Sequence, residues 1–201
     1  MARGSTYRVP LRRRREGKTD YQARKAFVLS SKPRLVTRGT SKNFAVQIVV
    51  AKPKGDEVLA AAHSRELKKY DWKAPSGNIP AAFLTGLLCG FRAKAKKVAE
   101  AVLDIGLVAP AKGAKVFAAL GGVLDAGVAV PHDEKKLVEV RVKGEHIAAY
   151  GKSLSVDSEV YSARFSKYLE RKLAPEKLPE HFAKVKAEIV SSFEKKGEKK
   201  A

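Results

Sequence analysis

The sequence has little cysteine, little acid and no long apolar run. One cysteine among 201 residues, Cys89, cannot form an intramolecular disulfide framework or a zinc site built from several thiolates, and it fits a reducing compartment. The longest apolar run, Ile79–Phe91, is too short to span a bilayer as a helix. The first residues are polar and basic, without the apolar stretch of a secretory signal. These absences predict a soluble cytosolic protein.

Basic residues outnumber acidic ones by almost two to one. The chain has 41 lysines and arginines against 21 aspartates and glutamates, which gives a formal net charge of +20 at pH 7. More than half of this excess lies in residues 1–42, where 13 basic and two acidic residues give +11. Such a block repels itself and needs a polyanionic partner, and RNA and DNA are the commonest polyanions in a cell.

The basic amino-terminal arm, residues 1–32, shows no apolar periodicity that would fold it. It contains four consecutive arginines, Arg12–Arg15, and adjacent guanidiniums suit bidentate contacts with phosphate. Aromatic residues lie between the basic ones, which suits stacking on bases or riboses: Tyr7, Tyr21 and Phe27. The stretch from Asp20 to Leu29 is expected to form a helix once it is bound to nucleic acid.

Residues 33–132 have the pattern of an α/β core. Three strand-like segments separated by turns predict an antiparallel meander: Arg34–Arg38, Phe44–Ala51 and Glu57–His63. The later segments predict a helix from about Asn78, a buried parallel strand over Ala101–Leu107, a helix over Ala114–Ala126 and a short fifth strand over Val128–Pro131. Within the first helix, Gly86 and Gly90 are spaced to let it lie close on a sheet. The fold class predicted is α/β with a mixed sheet: three antiparallel strands, then strand–helix units.

Residues 133–201 predict a helical carboxy-terminal extension. The core pattern fades from Asp133 onward, and two amphipathic helices are predicted over Val160–Lys172 and Pro179–Lys195. The chain is therefore divided into an RNA-binding arm (1–32), an α/β core (33–132) and this extension (133–201).

Patterns for catalysis and metal binding are weak. Lys112–Lys115 precedes a helix but lacks the Gly-x4-Gly-Lys-Ser/Thr spacing of a nucleotide-binding loop. Binding of an RNA phosphate at the start of that helix stays an open alternative. The four histidines show no metal-ligand spacing. A metal-dependent nuclease would need several converging carboxylates, and the only candidates in the core are Asp56, Asp104 and Asp125. We expect Asp104 to be a hydrogen-bonded structural residue and Cys89 to be a small buried hydrophobe.

Ten short segments follow one another in a specific order and spacing along nearly the whole chain. They are Tyr7–Lys18, Thr19–Tyr21, Lys32–Arg38, Gly77–Leu88, Ala101–Leu107, Lys115–Phe117, Asp125–Gly127, Pro131–His132, Gly144–Tyr150 and Leu178–Phe182. In this order they resemble the archaeal-type large-subunit ribosomal protein that binds 5S rRNA, universal ribosomal protein family eighteen. The core of that family is similar to a ribonuclease H-like layer without the catalytic carboxylates.

The resemblance implies a structural constituent of the large ribosomal subunit rather than an enzyme. The implied partners are 5S rRNA, 23S rRNA in the central protuberance and neighbouring ribosomal proteins of this cytoplasmic particle, with no cofactor, metal, membrane or small-molecule substrate. Implied RNA contacts in the arm are Arg12, Arg13, Arg14, Arg15, Lys18, Thr19, Tyr21 and Arg24. Those in the first hairpin are Arg34, Arg38, Ser41, Lys42, Asn43 and Gln47. The turn Gly39–Phe44 departs from the Ser-Asn-Lys-His type that is common in the family.

Two other functions stay open from the residues alone. An RNA-processing enzyme on a ribonuclease H-like core would show metal-dependent cleavage that Asp104→Asn abolishes. A general nucleic-acid-binding or chromatin-type protein would bind unrelated duplex DNA equally well at matched salt.

Overall fold

A computed structural model describes residues 4–52 and 54–198. Its centre is a four-stranded sheet made of β1 (Arg34–Gly39), β2 (Phe44–Lys52), β3 (Gly55–His63) and β4 (Val102–Asp104). The strand order is β3-β2-β1-β4, with β1 to β3 antiparallel and β4 parallel to β1. The predicted α/β class, with an antiparallel meander joined to a parallel strand, is confirmed.

Eight α-helices accompany the sheet in the described part of the chain. They are α1 (Arg12–Arg15), α2 (Tyr21–Leu29), α3 (Ile79–Ala95), α4 (Lys115–Asp125), α5 (Glu139–Lys143), α6 (Glu145–Leu154), α7 (Ser158–Glu170) and α8 (Leu178–Glu198). Short 3-10 segments occur at Ser64–Tyr70, Glu134–Lys136 and Pro175–Lys177. None of the described helices combines the length and the apolar character needed to cross a membrane.

The two faces of the sheet differ in chemistry because side chains alternate along each strand. On β1, Leu35 and Thr37 are fully buried in the core beneath α3 and α4. The side chains between and beside them, Arg34, Val36 and Arg38, lie on the opposite face. That second face carries the polar residues of the site and is only partly covered, by α2 of the arm.

Helices α3 and α4 cross closely at glycines. A Cβ atom on Gly86 would lie 2.0 Å from the carbonyl oxygen of Ala119, so the missing side chain allows close approach of α4 rather than of the sheet. Gly90 likewise faces α4 and its end, since its Cβ would lie 2.5 Å from the Cβ of Ala126 and 3.2 Å from Val123. The reason predicted for both glycines, contact with a sheet, is therefore corrected. Cys89 of α3 is fully buried as expected, and burial raises the pKa of its thiol to about 12.

Two predicted strands differ from the structure at the parallel edge. The segment Ala101–Leu107 pairs only over Val102–Asp104, and the chain leaves the sheet before Gly106, whose φ is +68°. The predicted fifth strand over Val128–Pro131 is wrong. This segment pairs with the neighbouring segment of the chain only through a single isolated bridge between Glu100 and Ala129.

The carboxy-terminal helices pack on the same hydrophobic core as the sheet. Phe182 of α8 meets Phe83 of α3 edge-on, with ring centroids 5.6 Å apart. Helices α7 and α8 occur where the sequence predicts them. Helices α5 and α6 are not predicted, because both are short and α6 buries only Ala148 and Gly151. Their few core-facing positions give no recognisable periodicity.

Trp72 and His181 join the extension to the core. Their rings stack with centroids 5.2 Å apart, and the backbone N–H of Lys73 donates to Nε2 of His181 over 3.1 Å. This nitrogen accepts a hydrogen bond only when the ring is neutral. Burial lowers the pKa of His181, which keeps the ring neutral further into acid than an ordinary histidine.

Replacing Gly86 with alanine should destabilise the protein by about 1–3 kcal/mol, since the new methyl group must displace the backbone of α4. Gly121→Ala is the matched control, because its Cβ would meet side chains at ordinary contact distances of 3.4 Å or more. Helix propensity should make that control neutral or stabilising. Urea denaturation of both variants measures the difference, and equal costs would contradict the close crossing.

Acid should loosen the contact between Trp72 and His181. A partly buried neutral histidine whose pKa is lowered contributes stability above its unfolded pKa of about 6.5, and that contribution is lost as pH falls towards the lower folded pKa. Fluorescence of Trp72, the only tryptophan, should therefore fall below pH 6.5 as the ring protonates. In His181→Gln, whose amide oxygen can accept the Lys73 hydrogen bond, the transition should vanish; its persistence would contradict the assignment.

Candidate nucleic-acid interface

Part of the basic arm is folded in the chain alone. Helix α2 begins after Asp20, whose carboxylate accepts hydrogen bonds from the backbone N–H groups of Gln22 at 2.9 Å and Ala23 at 3.2 Å. Such a side-chain cap stabilises the start of a helix. The helix expected on binding nucleic acid is thus already present over Tyr21–Leu29.

The four arginines of α1 point in different directions. Successive residues of an α-helix are about 100° apart around its axis, so Arg12–Arg15 surround a single turn. All four are exposed. Arg13 donates from Nε to the hydroxyl of Thr19 over 2.8 Å, and Lys18 pairs with Glu16 at 2.9 Å. The turn therefore presents positive charge on several sides, which suits a concave nucleic-acid surface better than a flat one.

Three arginines and two aspartates alternate across the open sheet face, and we call this set the arginine–aspartate ladder. Arg24 of α2 donates to both carboxylate oxygens of Asp56, at 3.1 and 2.9 Å. Arg34 of β1 donates to Asp56 at 2.7 Å and to Asp104 at 3.1 Å. Arg38 closes the series with a bond to Asp104 at 2.9 Å. The ladder thus joins the arm, β3, β1 and β4.

Burial differs along the ladder. The side chain of Arg34 is only 3% exposed, while those of Arg24 and Arg38 are 40% and 48% exposed. A buried guanidinium needs compensating charge, which the two aspartates supply. Burial alone would raise the pKa of Asp56, but the hydrogen bonds and charges of Arg24 and Arg34 outweigh it, so this pKa is lowered. Its carboxylate is ionised at any physiological pH.

The aspartates do not form the converging set that a nuclease needs. Asp104 is a hydrogen-bonded structural residue as expected, since one oxygen also accepts the N–H of Gly106 at 2.9 Å. Asp125 lies in α4 and pairs with Lys186 at 2.6 Å. Across residues 4–52 and 54–198, no three histidine, cysteine or acidic side chains meet in a group that could hold a metal ion.

A groove of about 860 Å³ runs between α2 and the open sheet face. Its floor combines the charged ladder with the apolar residues Val36, Val49 and Val58, and its wall on the arm side includes Tyr21 and Phe27. Eight of the residues implied by the resemblance line it together: Arg13, Lys18, Thr19, Tyr21, Arg24, Arg34, Arg38 and Gln47. Arginines beside aromatic and apolar surface can contact phosphate and also pack against a base.

The tip of the first hairpin lies apart from this groove, with Ser41, Lys42 and Asn43. The N–H of Asn43 donates to the hydroxyl of Thr40 at 3.0 Å, which closes the turn. The core supports the turn from below, because a Cβ on Gly77 would lie only 2.4 Å from the carbonyl oxygen of Ser41. Ser41 and Lys42 are exposed on this support.

A second basic pocket of about 430 Å³ lies beside the hairpin tip. Lys112, Lys115 and Arg141 are its charged lining residues, and none of the lining residues is acidic. Lys115 also donates to the carbonyl oxygen of Thr40 at 3.3 Å. Arg141 belongs to α5, so the sequence gives no sign that it meets Lys112.

Sequence reasoning did not pair either aspartate of the ladder with an arginine. Asp56 is 32 residues from Arg24, and Asp104 is 70 residues from Arg34. The strand register brings the two aspartates towards Arg34, since Val36 lies opposite Asp104 and Ala51 opposite Asp56. The position of α2 brings Arg24 to Asp56. The excess of arginine in the arm is visible in the sequence, whereas its pairing is not.

The chain is similar to a known protein family. A family model described as "Ribosomal large subunit proteins 60S L5, and 50S L18" matches residues 5–100 and 91–133. The matched residues include both arm helices, all four strands, α3, α4 and every member of the ladder. Helices α5 to α8 lie beyond the matched residues.

Arg34→Met should destabilise the fold by about 3–5 kcal/mol, because it leaves two carboxylates without their shared buried partner. Arg38→Met is the matched control, since its side chain is half exposed and its loss should cost about 1 kcal/mol or less. Urea denaturation followed by Trp72 fluorescence measures both. Equal costs would show that Arg34 is not the buried centre of the ladder.

Proposed function

Because the chain belongs to the family of large-subunit ribosomal proteins 60S L5 and 50S L18, we propose that it binds 5S rRNA and helps to attach it to 23S rRNA in the central protuberance. Family membership makes the protein a structural constituent of the large ribosomal subunit, with rRNA and other ribosomal proteins as its partners. A structural rather than a catalytic role follows from that membership. The groove that gathers arm and sheet residues on one face is the observation that carries the finer proposal.

Phosphate contact is the main source of affinity in this proposal. Exposed cations of the arm, Arg12–Arg15 and Lys18, neutralise phosphates and release counterions. Tyr21 packs against a base or ribose, and Thr19 and Gln47 are placed to hydrogen-bond a 2′-hydroxyl or a base edge from the groove. Arg24 and Arg38 keep donor N–H groups at the exposed ends of the ladder. Arg34, being buried, contributes by holding the aspartates rather than by touching RNA.

The hairpin tip supplies a separate contact. Ser41, Lys42 and Asn43 present a hydroxyl, an ammonium and an amide on a turn that the core supports. The second basic pocket lies next to them, so one RNA backbone can pass from Lys42 to Lys112. Phosphate contacts of this kind fix the orientation of a protein on RNA without reading sequence.

The division into arm, core and extension has a functional meaning in this proposal. The arm (1–32) wraps RNA, the core (33–132) presents the open face, and the extension (133–201) braces the core from the other side. Packing of α8 against α3 supports that bracing role, since Phe182 and Phe83 join the same hydrophobic cluster.

Converting Arg12–Arg15 to glutamine should weaken 5S rRNA binding and flatten its salt dependence. Each lost phosphate contact reduces the slope of log affinity against log salt by about 0.7–0.9, so we expect a reduction of about 2–4. Titration of labelled 5S rRNA over a salt series, with tRNA as competitor, measures affinity and preference together.

The control neutralises four exposed lysines that do not line the groove: Lys68, Lys94, Lys96 and Lys97. It changes the net charge by the same amount. If both variants lose the same slope of log affinity against log salt, the arm contributes only through the overall charge of the protein and makes no specific phosphate contacts. Equal competition by tRNA with the unaltered chain would contradict the 5S rRNA assignment and favour a general basic binder.

A further inference from the structure

We infer that Asp56 is a positioning residue for RNA binding: its carboxylate holds α2 across the open sheet face, so that the groove is formed before RNA arrives. This inference rests on the proposed function. It places an acidic residue inside an interface for a polyanion, where long-range electrostatics alone would disfavour it.

Helix α2 has little else to hold it. None of its residues is buried, and at nine residues it is shorter than the length at which isolated helices become stable in water, about 12–15 residues. The Asp20 cap stabilises its first turn but does not attach it to the core. The two hydrogen bonds from Arg24 to Asp56 make that attachment.

Asp56 is itself fixed from beneath. Its Oδ2 atom accepts from Arg34 at 2.7 Å, and Arg34 is anchored in turn by Asp104. Two oxygens that meet a planar guanidinium fix its direction as well as its distance. The orientation of Arg24, and with it α2, is therefore set by a carboxylate that is attached to the centre of the sheet.

Long-range electrostatics and positioning predict opposite changes in RNA affinity when Asp56 is neutralised. Removing a negative charge from a groove that binds RNA should strengthen binding if charge alone matters. The same removal should weaken binding if the carboxylate holds α2, because RNA must then order the detached arm, which costs binding free energy. One substitution at Asp56 separates the two accounts.

The test compares Asp56→Asn with Glu57→Gln in the full chain. Glu57 is the next residue of β3, is exposed and pairs with Lys52, so its neutralisation makes the same change in net charge without touching the ladder. We expect Asp56→Asn to weaken 5S rRNA binding about fivefold, which corresponds to about 1 kcal/mol. We expect Glu57→Gln to leave it unchanged or slightly stronger. The salt slope of Asp56→Asn should stay near that of the unaltered chain, because the same phosphates are contacted.

Trypsin cleavage after Lys25 in the free protein gives a second readout that needs no RNA. Cleavage should be faster in Asp56→Asn than in Glu57→Gln. Should Asp56→Asn fail to fold, Arg24→Gln detaches α2 while the Asp56–Arg34 contact stays, and it should accelerate the same cleavage.

Stronger or unchanged binding by a folded Asp56→Asn, or cleavage as slow as in the control, would overturn the inference. Failure of the proposed function has a different signature, namely that the unaltered chain does not prefer 5S rRNA to tRNA. The cleavage comparison tests the attachment of α2 in either case.

Discussion

The guanidinium of Arg34 lies in the middle of the sheet with almost no access to water, and its charge must be balanced there. Two aspartates from strands on either side, Asp56 and Asp104, provide that balance. Each aspartate also pairs with a second arginine: Asp56 with Arg24 in the arm, and Asp104 with Arg38 at the end of β1. The charge balance of one buried cation therefore involves both of these arginines. This arrangement fixes the charged residues of the open sheet face, the position of α2 on it and the groove between the two.

The ladder changes the physical picture of the arm. A segment of like charges is expected to order only on its polyanion and to lose free energy of binding in doing so. Here Asp20 caps α2 and Asp56 attaches it, so part of that ordering takes place within the chain. The arginines of α1 keep no such attachment to the sheet, so under the proposed function they are the part of the arm that adapts to the shape of the RNA.

Sequence patterns predict what depends on local spacing. The alternation in β1 and β2 and the apolar run of α3 reveal the core, and the charge of residues 1–32 reveals the basic arm. Pairings between distant segments are another matter: neither Asp56 nor Asp104 is recognisable as an arginine partner without the strand register. Short helices such as α5 are missed because they bury too few residues to show a period, and the supposed strand at Val128–Pro131 is apolar for packing rather than pairing.

Amide hydrogen exchange of residues 21–29 in the free, full-length protein tests the central claim most directly. If the ladder holds α2 on the sheet, these amides are protected before any RNA is added, and Asp56→Asn removes the protection. Exchange at the rates of an unstructured chain in the unaltered protein would contradict the account, because the arm would then fold only on RNA.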